Sequence, residues 1–141
     1  MLVREILVEK GRQIHSCTPD HTLTEVVDLL VKHNVGSLVV RQGEQMVGII
    51  TERDILRAVA ETRCSLSELR VRNRMTPAPI TASLEDDIGD AMGEMTARRI
   101  RHLPVMDGSS LVGIISIGDL VKAQHAELCR ENHYLKNYIQ S

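Results

Sequence analysis

The apolar residues of the chain alternate between helix-type and strand-type spacing. Behind Thr22-Leu-Thr-Glu25, a capping-box pattern, they recur three and four positions apart up to residue 31, which predicts a helix packed on one face. Two short β-branched runs, 37–40 and 46–50, follow around a glycine turn and predict buried strands. With an extended segment before the first helix and another helix after Thr51, the first half is predicted to fold as β-α-β-β-α.

The same pattern occurs twice along the chain. Residues 35–58 align without a gap onto residues 100–123, an offset of 65 positions. The offset also carries the first helix onto a second amphipathic stretch, for which Ser83 is the expected N-cap. A repeat of this length is usually one supersecondary unit that buries its apolar face against its copy. We therefore predict two motifs, residues 1–65 and residues 66–141.

The first motif is predicted to begin with an additional helix, and the second motif to end with an extended last helix. Residues 2–10 form an amphipathic pattern that a glycine ends, and the last helix is expected to run from about 117 to 138. Polar residues separate the apolar positions of this last helix, which argues against a self-standing coiled coil. We expect the helix to lie against a partner subunit. The apolar residues, seven positions apart, are Val121, Leu128 and Leu135.

Composition argues against several classes of function. The 141 residues carry a net charge of −2 and contain no Phe or Trp, so neither nucleic acid nor an anionic membrane is an expected partner. The cysteines Cys17, Cys64 and Cys129 form no C-x-x-C pair, and neither a signal-type run nor an 18-residue apolar stretch is present. The expected setting is therefore the reducing cytoplasm.

Two tetrads, Thr51-Glu-Arg-Asp54 and Ser116-Ile-Gly-Asp119, carry the candidate chemistry. Each precedes a predicted helix, so helix capping alone explains each one. Their repetition after a buried strand also suits a nucleotide, because free backbone N–H groups and the positive end of a helix accommodate phosphate. The hydroxyl can bind phosphate, the aspartate can accept hydrogen bonds from a ribose diol, and Arg53 adds a charge that Gly118 lacks. Both interpretations remain open at this point.

Together with Met75-Thr-Pro77 and Arg101-His-Leu-Pro-Val105, the tetrads resemble the signature of a tandem pair of cystathionine-β-synthase (CBS) domains, as in small stand-alone bacterial CBS-domain proteins. The resemblance implies an α/β (α+β) fold of two β-α-β-β-α motifs packed with pseudo-twofold symmetry, a Bateman-type module. It also implies two clefts for adenosyl ligands such as AMP, ADP, ATP, NAD(H) and S-adenosylmethionine.

The resemblance further assigns residues to the two clefts. Asp54 and Asp119 would hold the ribose hydroxyls, and Thr51 and Ser116 the phosphate. The residues implied for the first cleft are Gly36, Ser37, Thr51, Arg53, Asp54, Met75, Thr76, Pro79 and Ile80. Those implied for the second cleft are Arg101, His102, Ser116, Gly118, Asp119, Lys10, Ile14 and His15. The residues expected to face adenine are Val35 and Ile100.

A third cluster, His125, Cys129 and His133, lies on one face of the last predicted helix. Its first and third members are about 12 Å apart, too far for one zinc ion, and we predict no metal site. No nucleophile pair or phosphate-binding loop suggests catalysis. We predict a regulatory sensor, not an enzyme, that binds AMP or NAD(H) and forms a homodimer, with an unidentified regulated protein as a further partner. The alternative is a structural or protein-interaction module whose clefts bind no ligand.

Overall fold

The chain folds into two compact units whose boundaries cross those of the sequence repeats. The computed structural model describes residues 1–140. The first unit comprises Gln13–Ile80, and the second unit comprises Met1–Arg12 together with the chain from Thr81 onward. The segment that leads into each repeat therefore belongs to the unit of the other repeat. The predicted division between residues 65 and 66 follows the repeats of the sequence and stays a prediction.

Helices and short strands alternate along the described chain in the predicted order. The α-helices are α1 (Val3–Lys10), α2 (Leu23–His33), α3 (Glu52–Glu61), α4 (Ile88–Arg98) and α5 (Ile117–Gln140). The strands are β1 (Ser16–Cys17), β2 (Ser37–Gln42), β3 (Gln45–Thr51), β4 (Thr76–Pro77), β5 (Ala82–Ser83), β6 (His102–Asp107) and β7 (Ser110–Ser116). Two 3₁₀ turns, Leu66–Glu68 and Val71–Asn73, lie between the repeats. The mixed α+β class and the β-α-β-β-α order of each repeat are confirmed.

The first unit is built on a four-stranded sheet with the strand order β1-β2-β3-β4. Strands β2 and β3 form an antiparallel hairpin, β1 runs parallel to β2, and β4 pairs antiparallel with β3. The hairpin turns at Gly43, whose φ of +65° favours glycine. Helix α2 contributes Leu23, Val26 and Leu30 to one core with the strands, as their spacing predicts.

The second unit has a three-stranded sheet of order β5-β6-β7, in which β5 and β6 are parallel and β6 and β7 antiparallel. Helix α1 joins this unit through its buried residues Val3, Ile6 and Leu7. The approach is close, since a Cβ added to Gly113 of β7 would lie 2.8 Å from Leu7 Cδ2. The absence of a side chain at Gly113 lets α1 approach the strand and brings the end of α1 towards the end of β7.

The start of α4 differs from the sequence prediction. Its N-cap is Asp87, whose Oδ2 accepts a hydrogen bond from the Gly89 N–H at 2.8 Å. The prediction of Ser83 as the cap is wrong, because that residue lies at the end of β5. The offset of 65 explains the difference: Asp87 falls on Thr22, the N-cap of α2, whose Oγ1 accepts from the Glu25 N–H at 3.2 Å.

Helix α5 extends well beyond its counterpart α3, as the sequence predicts. Leu120 and Ala123 bury its first turns in the second unit. Its seven-residue stripe, Val121, Leu128 and Leu135, is 53% exposed at each position. This face of the helix is therefore open in the part of the chain that the structure describes.

Candidate functional site

Each candidate site lies where the last residue of a strand caps a helix. In the first unit β3 ends at Thr51 and α3 follows, and in the second unit β7 ends at Ser116 and α5 follows. The N–H of the first helical residue donates to the carbonyl of Gly36 at 3.0 Å in the first unit and to that of Arg101 at 2.8 Å in the second. Two of the predicted site residues, Gly36 and Arg101, therefore lie beside their tetrads through the backbone.

A reciprocal cap holds the first site together. Thr51 Oγ1 accepts a hydrogen bond from the Asp54 N–H at 3.3 Å. Asp54 Oδ2 accepts bonds from the Thr51 N–H at 2.9 Å and from the Thr51 hydroxyl at 3.2 Å. Helix capping is thus a real role of this tetrad. Both bonds to the carboxylate use Oδ2, so Oδ1 of the half-buried Asp54 takes no part in the cap.

The second site has the same cap and one additional cation. Asp119 Oδ2 accepts a bond from the Ser116 N–H at 2.8 Å, and Ser116 Oγ accepts one from the Asp119 N–H at 3.2 Å. Lys10, the last residue of α1, donates through Nζ to Asp119 Oδ2 at 2.6 Å and to the carbonyl of Ile114 at 2.8 Å. The resemblance implies Lys10 for this site, but it does not reveal the bond between Lys10 and the aspartate.

The surroundings of Asp119 lower its pKa. Burial alone raises the pKa of this carboxyl, but the hydrogen bond from Lys10, the bond from the Ser116 N–H and the positive charge of Lys10 together outweigh burial. Asp119 is therefore ionised at neutral pH, and Lys10 balances its charge within the second unit.

In the first site, the edge strand β4 brings two further predicted residues beside β3. It pairs with β3 at Gly48 and Ile49. A Cβ added to Gly48 would lie 2.7 Å from the Thr76 carbonyl oxygen and 3.0 Å from Met75 Sδ. Met75 and Thr76 therefore lie against the strand that leads into the first tetrad. The predicted residues that follow in the same unit, both half-buried, are Pro79 and Ile80.

Two predicted residues lie opposite the caps across the hairpins. Ser37 pairs with Thr51 and is buried, and His102 pairs with Ser116 and is half-buried. The two predicted residues on the first helical turns, both exposed, are Arg53 and Gly118.

The residues expected to face adenine occupy equivalent places after α2 and α4. The Val35 N–H donates to the Leu30 carbonyl at 3.1 Å, and the Ile100 N–H donates to the Met95 carbonyl at 3.0 Å. Val35 also lines an apolar groove of about 380 Å³ between α2 and α3, which the sequence does not reveal. A contact of either residue with adenine stays a prediction.

Two residues implied for the second cleft, Ile14 and His15, belong to the first unit. The His15 carbonyl accepts a bond from the Val39 N–H at 3.1 Å, and its ring stacks on that of His33 with 3.8 Å between centroids. Burial and the charge of His33 lower the pKa of His15. The assignment of Ile14 and His15 to the second cleft stays a prediction.

The cluster on α5 forms pairs within the helix. His125 Nε2 lies 3.5 Å from Cys129 Sγ, and His133 Nε2 lies 3.2 Å from Asn137 Nδ2. Within residues 1–140 no group of three or more His, Cys, Asp or Glu side chains is placed to hold a metal ion. Over the same range, no helix has the length and apolar character needed to cross a membrane.

Comparison with known proteins identifies the family. The model of the CBS domain matches the chain twice, at residues 3–61 and 67–126. The CBS domain-containing protein CBSX3, mitochondrial, of Arabidopsis thaliana is 38% identical over 147 residues, which cover 98% of this chain and 71% of that protein. The chain belongs to the CBS-domain family and carries two copies of the domain.

Two solved structures of similar fold hold adenosyl ligands. The CBS domain protein PAE2072 from Pyrobaculum aerophilum, complexed with AMP, is 33% identical with a TM-score of 0.73, covering 84% of this chain and 89% of that one. The CBS domain pair of protein MJ0100, in complex with 5′-methylthioadenosine and S-adenosyl-L-methionine, is 26% identical with a TM-score of 0.76, covering 90% of this chain and 98% of that one. Proteins similar to this chain thus bind adenosyl compounds with different 5′ groups.

Proposed function

We propose that the chain is a regulatory module that senses an adenosyl nucleotide, AMP or NAD(H), at its two helix starts. The observation that carries the proposal is the duplicated cap, in which each aspartate uses Oδ2 for the helix. Oδ1 of Asp54 and of Asp119 is then available to accept hydrogen bonds from a ribose diol. The AMP complex of the similar Pyrobaculum aerophilum protein supports an adenosyl ligand.

Different parts of the ligand would bind to protein groups of different chemistry. Asp54 and Asp119 would bind ribose, and the hydroxyls of Thr51 and Ser116 would bind phosphate near the positive helix ends. The flanking residues proposed for the first site are Gly36, Ser37, Arg53, Met75, Thr76, Pro79 and Ile80, and those for the second site are Lys10, Arg101, His102 and Gly118. The apolar groove lined by Val35 suits an uncharged base, and Ile100 holds the equivalent place in the other repeat.

The proposed role is regulatory rather than catalytic. A ligand that binds one conformation of the module better than another shifts the population toward that conformation, and a regulated protein can respond to the shift. The cytoplasm remains the expected compartment.

We expect the working form to be a homodimer. The stripe Val121, Leu128 and Leu135 on α5 is 53% exposed at each position, and its seven-residue spacing suits packing against another helix. Sedimentation should give a dimer that Leu128→Asp together with Leu135→Asp converts to a monomer. A wild-type chain that sediments as a monomer at micromolar concentration would contradict this expectation.

The nucleotide-sensor proposal is tested by calorimetric titration of ligand-stripped protein with AMP and then with NADH. Saturable binding that is lost when Asp54 and Asp119 are both replaced by Ala supports the proposal. Flat titrations with both ligands, and with S-adenosylmethionine, would favour the alternative of an interaction module that binds no ligand.

The matched control for these variants is Asp87→Ala. Asp87 caps α4 through the Gly89 N–H and lies outside both proposed sites, so its loss weakens a helix start by about 1 kcal/mol without removing a group from either site. If Asp87→Ala lowers stability but leaves AMP binding intact, the loss of binding in the Asp54 and Asp119 variants cannot be assigned to capping.

A further inference from the structure

The two segments that lie beside the sites carry different side chains at the repeat position of Lys10. Lys10 and Met75 are related by the same offset of 65 that relates the two tetrads. Lys10 contacts the second tetrad by donating to Asp119 Oδ2, whereas Met75 lies against Gly48 of β3, the strand that leads into the first tetrad. Within residues 1–140 the ion pairs include Lys10–Asp119, and none of them involves Asp54.

The bond to Lys10 changes what the second site can accept. A ligand whose ribose bonds to Asp119 shares the carboxylate with Lys10. The bond between Lys10 and Asp119 and the bond between the ribose and Asp119 are then each weaker than either would be alone. The ammonium group of Lys10 has three N–H donors, two of which bond to Asp119 and Ile114. An anionic group on the ligand offers the ammonium group of Lys10 a second ion pair. An uncharged 5′ group offers none, so Lys10 keeps only its weakened pair with Asp119.

The second site has no other cation on its own helix start. At the position of Arg53 in the first tetrad, the second tetrad has Gly118. The side chain of Lys10 is 36% exposed and that of Asp119 is 25% exposed, so the pair is accessible to a ligand while it is partly shielded from solvent. Lys10 is thus the cation of the second unit that already lies at the aspartate.

We infer that Lys10 makes the second site selective for adenosyl ligands that carry a 5′-phosphate. In the free protein Lys10 neutralises Asp119, and in the complex it pairs with the phosphate while Asp119 holds the ribose. The first site has Met75 at this position and gains no phosphate selectivity from it. The inference rests on the proposed function, since it names the residue that sets the ligand charge at one of the two proposed sites.

The test compares AMP with adenosine, two probes that differ only in the 5′-phosphate. Both are titrated into an Asp54→Ala protein, in which the first site is disabled, and into the same protein with Lys10→Met or Lys10→Arg. We expect the Asp54→Ala protein to bind AMP about tenfold more tightly than adenosine. Lys10→Met should lower the ratio of the two dissociation constants severalfold, to the preference that the Ser116 hydroxyl and the helix end give without the lysine, and Lys10→Arg should largely retain the ratio.

The ratio separates ligand selection from structural damage. A variant that only loosens α1 weakens both ligands together and leaves the ratio unchanged, which would overturn the inference. A chain with both aspartates intact that binds none of AMP, adenosine and NADH would contradict the proposed function, and the inference with it. If the unaltered chain binds AMP and the Asp54→Ala protein does not, the second site binds no ligand. That result would overturn the inference but would leave the proposed first site intact.

The converse variant tests the same position in the first site. Met75→Lys in an Asp119→Ala protein should raise the preference for AMP over adenosine at the first site, because it places a cation at the repeat position of Lys10, against the strand that leads into the first tetrad. An unchanged ratio in this variant would show that the position does not select ligand charge, and would count against the inference.

Discussion

The two helix starts share a cap and differ in the segment that lies beside it. Asp54 and Asp119 accept a hydrogen bond from the strand-end N–H at 2.9 and 2.8 Å. Met75 and the edge strand β4 lie against β3, which leads into the first cap, whereas Lys10 at the end of α1 bonds directly to the aspartate of the second cap. Each of these segments leads into one repeat and belongs to the unit of the other. The hydrogen bonds inside each repeat are thus alike, whereas the chemistry at the cap depends on the added segment.

This difference shows how two copies of one motif can become two distinct sites. The cap involves residues three positions apart, so both copies form it without help from the rest of the chain. Lys10 and Asp119 are separated by 109 positions, and their contact requires α1 to dock on the second unit. A change at one position of the docked segment alters the charge at the site and leaves the cap intact.

The largest expected effect concerns the two equivalent glycines against which these segments pack. Gly48→Ala should lower the free energy of unfolding by about 2 kcal/mol, because the new Cβ meets the backbone oxygen of Thr76. Gly113→Ala should cost about 1 kcal/mol, because its Cβ meets the end of the Leu7 side chain, which can rotate. Urea unfolding of both variants at pH 7 measures the difference. A larger loss for Gly113→Ala would contradict the account of the two approaches.

The caps themselves should respond equally. Thr51→Ala and Ser116→Ala each remove the hydroxyl that accepts the helix N–H, at 3.3 and 3.2 Å respectively. Each substitution should lower the free energy of unfolding by about 1 kcal/mol. Thermal melts of the two variants side by side check this, and a loss confined to one of them would break the equivalence of the two caps.

The smallest expected effect is the loss of stability when the Lys10–Asp119 ion pair of the second site is removed, and this loss depends on pH. Lys10→Met should cost roughly 0.5 kcal/mol near pH 7, because the pair with Asp119 is partly exposed. The pKa of Asp119 lies below its ordinary value of 3.8, so the pair stabilises the fold fully above that pH. This contribution is lost as the pH falls through the lower pKa of the folded state.

The stability difference between the wild type and Lys10→Met should therefore be constant above about pH 5 and shrink in more acidic solution. Urea unfolding across this range checks the sign, with Lys10→Arg as the control that keeps the charge. A stability difference that grows on acidification would contradict the account in which Lys10 lowers the pKa of Asp119.

Local features of the fold could be predicted from the sequence, because they depend on residues close together in the chain. The helix after Thr22, the hairpin around Gly43 and both tetrad caps are of this kind. The cap of α4 is an instructive error, since Ser83 and Asp87 are both good capping residues and only the register of the repeat distinguishes them.

The features that could not be predicted depend on docking. No local pattern shows that α1 packs on the second unit, because its apolar face is equally suited to any buried surface. The bond between Lys10 and Asp119 depends on that docking, so no local pattern predicts it either. A signal did exist in the repeat: the offset of 65 places Lys10 on Met75, a difference in charge beside otherwise similar motifs.

The measurement that tests the central claim most directly is an NMR titration of isotope-labelled protein with AMP. The account predicts saturable shifts of the backbone amides of Thr51–Asp54 and Ser116–Asp119, with the second set reduced by Lys10→Met. Amide resonances of both tetrads that move with neither AMP nor NADH at millimolar concentration, or shifts that saturate elsewhere in the chain, would contradict it.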